Sequence, residues 1–162
     1  CGAPEGEKPL HVHHKIPFRN FLNNEEANRA DNLITLCPNC HKLAEQNVRI
    51  RSGLGGFSYL FAQIAPLYLI CDQFDIGDFI DPQSKFNDGL PMLVIYDRFP
   101  GGIGLAAELY NSAEEVMRNC REVIENCACK DGCPACVGPA GENGVGGKDA
   151  ALQIILKLLD TV

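Results

Sequence analysis

The chain has 162 residues, 46% of them hydrophobic, with a net charge of −7. That length fits one domain or two small ones with a real core, and no apolar run approaches the ~20 residues of a membrane span. Residues 1–51 hold seven Lys/Arg against six Asp/Glu and the remainder seven against fifteen, which excludes a broad electrostatic pull on a phosphate backbone.

Nine cysteines, an odd number, without a secretory signal argue against a disulfide framework and for a reducing, cytoplasmic setting. The chain opens on Cys1-Gly2 with no initiator Met, so a piece of a longer protein is expected.

In chain order, the alternation in Leu10-His-Val12-His13-His14 predicts a strand. Asp31-Asn-Leu-Ile-Thr-Leu-Cys37 predicts a turn into a second strand, and Cys40–Gln46 a short helix. Arg51–Gly56 is Gly-rich and reads as a joint. Leu54, Phe57, Phe61 and Ile64 recur at three and four, predicting an amphipathic helix stopped at Pro66. Leu67–Cys71 reads as a buried strand, Gly77–Gly89 as a loop, and Pro91–Tyr96 as a second buried strand. Pro100-Gly-Gly-Ile-Gly104 opens a helical stretch, and Ala113, Val116, Cys120, Val123 and Cys127 line one helix face. A Gly-rich loop over Gly138–Gly147 precedes a last amphipathic helix marked by Leu152, Ile155, Leu156 and Leu159.

The strongest chemical signal is Cys127-x-Cys129-x₃-Cys133-x₂-Cys136. Four thiolates within ten residues suit the tetrahedral site of Zn²⁺, with Zn–S of about 2.3 Å. An all-cysteine set leaves no open position, so the metal is expected to be structural. The rival reading is four buried or disulfide-bonded thiols. Cys71 and Cys120 read as small core residues.

A second constellation lies upstream. Cys37 and Cys40 form a C-x-x-C half-site, and Cys1 looks like the end of another whose first cysteine lies off the chain. Together with the His13-His14 doublet, Asn32 and His41, they resemble the HNH endonuclease family. The resemblance implies that His13 and His41 bind a hard divalent metal such as Mg²⁺. It implies His14 as general base and Asn32 as the residue holding the loop that bears His14. His11 matches nothing in the pattern and reads as an exposed strand residue. The rival is a folded remnant whose histidines are only surface polar groups.

From about residue 52 the chain resembles the zinc-binding C-terminal domain of MrfA-type DEAD/DEAH-box DNA helicases. The resemblance rests on Ala65-Pro-Leu-Tyr-Leu, Cys71-Asp-Gln-Phe-Asp75, Val94-Ile-Tyr-Asp97 and Pro100-Gly-Gly-Ile-Gly104. It continues through Cys127-x-Cys129, Gly132-Cys-Pro-Ala-Cys136-Val and Lys148. It implies an ATP-dependent parent acting on DNA in repair or processing, in the bacterial cytoplasm near the nucleoid. DNA and the parent's motor domains would be the partners, with no membrane. ATP would bind only in those motor domains, since no G-x-x-x-x-G-K-[S/T] loop is present here. Gly101-Gly102-Ile-Gly104 could seat an anion at a helix start, but reads better as a tight turn. Asp72, Asp75 and Asp97 likewise read as turn residues rather than metal ligands.

The expected fold is α+β. An HNH-like ββα-metal segment over residues 1–50 is followed, over 51–162, by a small mixed sheet with flanking helices and a four-cysteine zinc knuckle. A metal-dependent HNH nuclease is the alternative function, and a zinc-stapled protein-interaction module a third.

Overall fold

The computed structural model describes residue 1, residues 9–139 and residues 146–161. Most of the expected Gly138–Gly147 loop lies outside the described residues. The chain divides into two compact units, Cys1–Val48 and Arg49–Val162. The class is α+β, as expected, and both sheets are two-stranded and antiparallel.

In the first unit, strand β1 (His11–His14) pairs with β2 (Leu33–Leu36), with His11 opposite Leu36 and His14 opposite Leu33. Between them lies a single-turn helix, α1 (Asn24–Ala27). Asn23 caps it by accepting from the Glu26 N–H at 2.8 Å, the usual device for an orphan N-terminal donor. Helix α2 (Pro38–Leu69) then begins directly after β2, giving the anticipated ββα order.

Helix α2 is longer than its local sequence suggests. The Arg51–Gly56 joint is helical, and the helix passes Pro66 to end at Leu69. The glycines are there for packing, not for a break. A Cβ on Gly53 would lie 2.8 Å from Ile154 Cδ1 and 2.9 Å from Ala150 Cβ, and one on Gly56 would lie 3.0 Å from Val137 Cβ. Helix α4 (Gly147–Leu159), which carries Ala150 and Ile154, therefore approaches α2 at backbone distance. In an isolated helix Gly→Ala gains about 1 kcal/mol. Here Gly53→Ala is expected to lose about 1–2 kcal/mol net, because overpacking against Ala150 outweighs propensity. A urea melt reads the sign.

The expected strand at Leu67–Cys71 is absent. Leu67 and Leu69 finish α2, Ile70 turns the chain at φ +52°, and Leu67 and Ile70 are 78% and 95% exposed. The strand lies further on. β3 (Ile76–Asp81) occupies part of the span read as a loop and pairs antiparallel with β4 (Met92–Asp97), Ile76 opposite Asp97. Gly77 permits this pairing, since a Cβ there would collide with the ring of Tyr96 opposite it. Helix α3 (Leu105–Asn126) follows. The core of this unit joins Phe57, Leu60 and Phe61 of α2, Val116, Cys120 and Ile124 of α3, and Ile155 of α4 to Cys136 and Val137.

Candidate metal centre

Helix α3 ends at Asn126, so Cys127 leaves it at the C-cap with extended backbone. The chain then doubles back through Gly132, whose φ of +133° few other residues accept. A tight turn follows, in which the Cys133 carbonyl accepts from the N–H groups of Cys136 (2.9 Å) and Gly138 (3.1 Å). Four sulfurs converge as a result. Cys127 Sγ is 3.5 Å from that of Cys129 and 3.6 Å from that of Cys133, and Cys136 Sγ is 3.5 Å from Cys129 and 3.6 Å from Cys133. All four lie within 4.8 Å of one another. A tetrahedron with Zn–S of about 2.3 Å has edges of about 3.8 Å, so the residues fit the ion. All are free thiols, and their spacings are far beyond the ~2.0 Å of a disulfide.

The electrostatics fit too. Burial pushes the Cys136 thiol up to about 12, so a bound cation is what would make its thiolate favourable. Cys127 is drawn down to about 7, chiefly by the backbone N–H of Cys129. Lys148, the second residue of α4, donates from Nζ to the carbonyls of Cys127 (2.5 Å) and Cys129 (2.8 Å). Asp131 accepts from the Gly146 N–H, and Tyr59 Oη donates to the Pro134 carbonyl at 3.0 Å. The knuckle is thereby tied to α2 and α4 from both sides.

In the first unit, Cys1 Sγ lies 3.9 Å from Cys37 Sγ, and the three sulfurs of Cys1, Cys37 and Cys40 fall within 4.8 Å of one another. The Cys40 N–H points at Cys37 Sγ (3.5 Å) and holds that thiol below its ordinary range. The rings of His13 and His41 are 5.2 Å apart. His14 does not join them. Neighbouring strand residues face opposite sides, and its Nε2 lies 3.0 Å from Asn28 Oδ1. Asn32 is buried and spends its amide on the chain around it. Its Oδ1 accepts from the Ile16 N–H (2.8 Å), and its Nδ2 donates to the carbonyls of Ile16 (3.1 Å) and Ala27 (2.8 Å). Those bonds close the segment that leaves β1 after His14. The part played by Asn28 carried no sequence signal beyond residue type, and Lys148 entered the resemblance without a role. Its role could have been suspected from a cation where a helix N-terminus disfavours one.

A family model described as the MrfA Zn-binding domain matches residues 57–137, half of the chain. The chain belongs to this family. An HNH endonuclease model matches residues 1–46. Two relatives are similar to the chain. The uncharacterized ATP-dependent helicase YprA of Bacillus subtilis (strain 168) is 35% identical over 100 residues, 62% of this chain and 13% of its own. The uncharacterized protein MJ1572.1 of Methanocaldococcus jannaschii is 37% identical over 79 residues, 46% of this chain and 69% of its own. Among solved structures, the crystal structure of the DUF1998 helicase MrfA bound to DNA superposes with a TM-score of 0.61 at 33% identity. It covers 68% of this chain and 14% of the helicase chain. The same helicase with DNA and AMPPNP gives a TM-score of 0.54 over 64% of this chain.

Within the MrfA Zn-binding domain, the Gly-rich turn before α3 does hold an anion, and the anion is the chain's own. Asp97, at the end of β4, accepts from the N–H groups of Ile103 (2.7 Å), Gly104 (2.8 Å) and Leu105 (3.1 Å) through Oδ2, and of Ala106 (2.6 Å) through Oδ1. The seat a phosphate would need is taken. Asp72 and Asp75 close a capping box on the turn Gln73–Asp75, so all three aspartates do turn and cap work. The Ala106 N–H foremost, then that of Ile103, holds the Asp97 carboxyl below its usual value. A depressed carboxylate adds stability above its unfolded pKa of about 3.9, and the gain is lost as pH falls through the lower, folded value. Asp97→Asn should lower Tm by roughly 5 °C at neutral pH, on the scale of a lost helix cap. The gap to wild type should close as pH drops below about 4, which thermal melts across pH will read.

Proposed function

We propose that the chain is a zinc-stabilised accessory region of an ATP-dependent superfamily 2 DEAD/DEAH-box DNA helicase engaged in DNA repair or processing. The reading rests on the MrfA Zn-binding domain match over residues 57–137, supported by the likeness to a helicase crystallised on DNA. The chain spans 13% of the helicase relative's length, so ATP binding and hydrolysis belong to motor domains elsewhere in the parent. No described helix is long and apolar enough to cross a membrane, in keeping with a nucleoid-associated role in a bacterial cytoplasm.

In this reading residues 1–50 form the HNH-like segment and 51–162 the helicase-tail domain. Cys127, Cys129, Cys133 and Cys136 hold one zinc, which supplies cross-linking rather than catalysis. Their thiolates pin the end of α3 to the start of α4, where the intervening loop is too polar to fold unaided. Cys1, Cys37 and Cys40 take a second zinc. The test is twofold. The purified chain should hydrolyse no ATP, and it should bind fluorescein-labelled DNA at low salt by anisotropy. ATP turnover refutes the accessory reading. Absence of DNA binding favours the protein-interaction module.

The HNH match over residues 1–46 and the Asn32 clamp support a second reading, a metal-dependent nuclease. His13 and His41 would hold Mg²⁺ or another divalent ion. With Asn28 Oδ1 accepting from Nε2, His14 keeps on Nδ1 the lone pair a general base needs. Plasmid nicking with Mg²⁺ or Mn²⁺ by wild type, lost in His14→Ala, is the expected signature. No nicking by the folded, zinc-loaded chain would sink it.

A further inference from the structure

The outward face of the β3–β4 sheet is apolar where such a face is ordinarily polar. Phe79 stands opposite Val94 and Gly77 opposite Tyr96, so these residues share one side of the sheet. The other side carries Ile76, Leu93 and Ile95, which pack into the core. Phe79, Val94 and Tyr96 are all exposed. The hairpin tip adds Phe86, which is 94% exposed. Hydrogen bonds to Ser84 tie that tip down. Fully buried Ser84 accepts from the Phe86 N–H through Oγ (3.2 Å), and from the N–H groups of Asn87 (3.2 Å) and Gly89 (2.8 Å) through its carbonyl. An aromatic presented on a bonded turn loses little freedom when it meets a partner.

The exposed apolar groups are concentrated here. Of the twelve large hydrophobic side chains exposed in the described part of the second unit, ten fall between Leu67 and Ile103, 37 of the unit's 114 residues. Monomeric proteins rarely group exposed apolar side chains in this way except at an interaction site. The same stretch holds six aspartates against Lys85 and Arg98, a net charge of −4. That charge repels a phosphate backbone, and it repels a second copy of the same face.

We propose that this face docks a separate partner protein through a basic, apolar segment. Apolar side chains of that segment sit on Phe79, Val94, Tyr96 and Phe86, and its Lys/Arg groups meet Asp81 and Asp88. Asp81 belongs to the outward face, opposite Met92, and Asp88 follows Phe86 by two residues. In such interfaces the aromatic anchors supply most of the affinity, and complementary charge supplies encounter rate and register. Docking of this kind adds a partner to the helicase reading and does not depend on it.

The experiment titrates the full, zinc-loaded chain into a short fluorescein-labelled peptide of alternating leucine and lysine and follows anisotropy. Wild type should bind this probe and leave a leucine–glutamate counterpart unbound. Phe86→Ala should weaken binding about 10-fold or more. Phe79→Thr, which keeps a strand-forming residue, should do the same. Asp81→Asn with Asp88→Asn should weaken binding about threefold at low salt and flatten its salt dependence. Tyr110→Ala removes an exposed aromatic outside the stretch and should bind as wild type. Zinc content and circular dichroism show that each variant is folded. Equal affinity in Phe86→Ala, or equal binding of the leucine–glutamate peptide, overturns the proposal. A labelled single-stranded oligonucleotide whose binding is lost in Phe79→Thr overturns it in favour of a base-stacking platform. A dimer in sedimentation that Phe86→Ala dissociates overturns it in favour of self-association.

Discussion

Cys136→Ser is expected to strip the zinc from the second unit and unfold it. Cys136 is fully buried and belongs to the same core cluster as Val137, Cys120 and Ile155. A serine there is a poor zinc ligand and leaves a buried hydroxyl in place of a sulfur. Structural zinc sites contribute roughly 10–16 kcal/mol of apparent free energy. Whole domains are stable by only about 5–15 kcal/mol. Losing the site therefore exhausts the margin. Zinc per chain by atomic emission should fall by one, and the cooperative thermal transition should disappear from circular dichroism. Cys120→Ala is the control. Cys120 is as deeply buried, and burial raises its thiol to about 12, but its sulfur faces the core and not the cluster. That variant should keep all its zinc and lose only about 1–2 kcal/mol. If Cys136→Ser melted like Cys120→Ala with its zinc intact, the four-sulfur site would be wrong.

Lys148→Met should weaken zinc binding by about 10–100-fold, the usual cost of removing a partner just outside the ligand shell. A zinc ion with four thiolates would carry a net charge of about −2, and the Lys148 ammonium, bonded to the carbonyls of Cys127 and Cys129, would stand close to it. The same lysine sits in the first turn of α4, where a cation costs about 0.3–1 kcal/mol against the helix dipole. Two effects of opposite sign therefore separate cleanly. Without metal the methionine variant should be no less helical than wild type. With metal it should release zinc faster to a chromophoric chelator. Lys148→Arg retains charge but not the compact fit between two carbonyls, so it should fall between the two. Unchanged release from Lys148→Met would assign the lysine to packing alone.

Local chemistry was the legible part of this chain. The convergence of the four knuckle cysteines could be read because all of them lie within ten residues. The ββα order could be read because strand alternation and the C-x-x-C turn are short-range signals. What sequence concealed is decided across elements. Gly53 and Gly56 look like breakers until Ala150, Ile154 and Val137 are placed against them. Ile76–Asp81 lacks clean alternation, because Gly77 makes room for Tyr96 and Asp78 accepts from Ser58 on α2 (2.6 Å). Leu67–Ile70 looks like a core strand, yet Leu67 and Ile70 stand in solvent. A run of apolar letters states only that burial would be favourable, not that a neighbour supplies it. Asp97 reads as a turn residue, and the turn it serves is the glycine loop that begins four residues on.

The two sulfur clusters also differ in how far the chain must travel to close them. Cys127 and Cys136 are separated by nine residues, whereas Cys1 reaches Cys37 and Cys40 across 36 and 39. Loop-closure entropy rises by about 0.6 kcal/mol per doubling of length, so the long closure costs about 1.2 kcal/mol more before any ion rewards it. If both clusters held an ion with equal intrinsic affinity, the cluster of Cys1, Cys37 and Cys40 would lose it first as free metal falls.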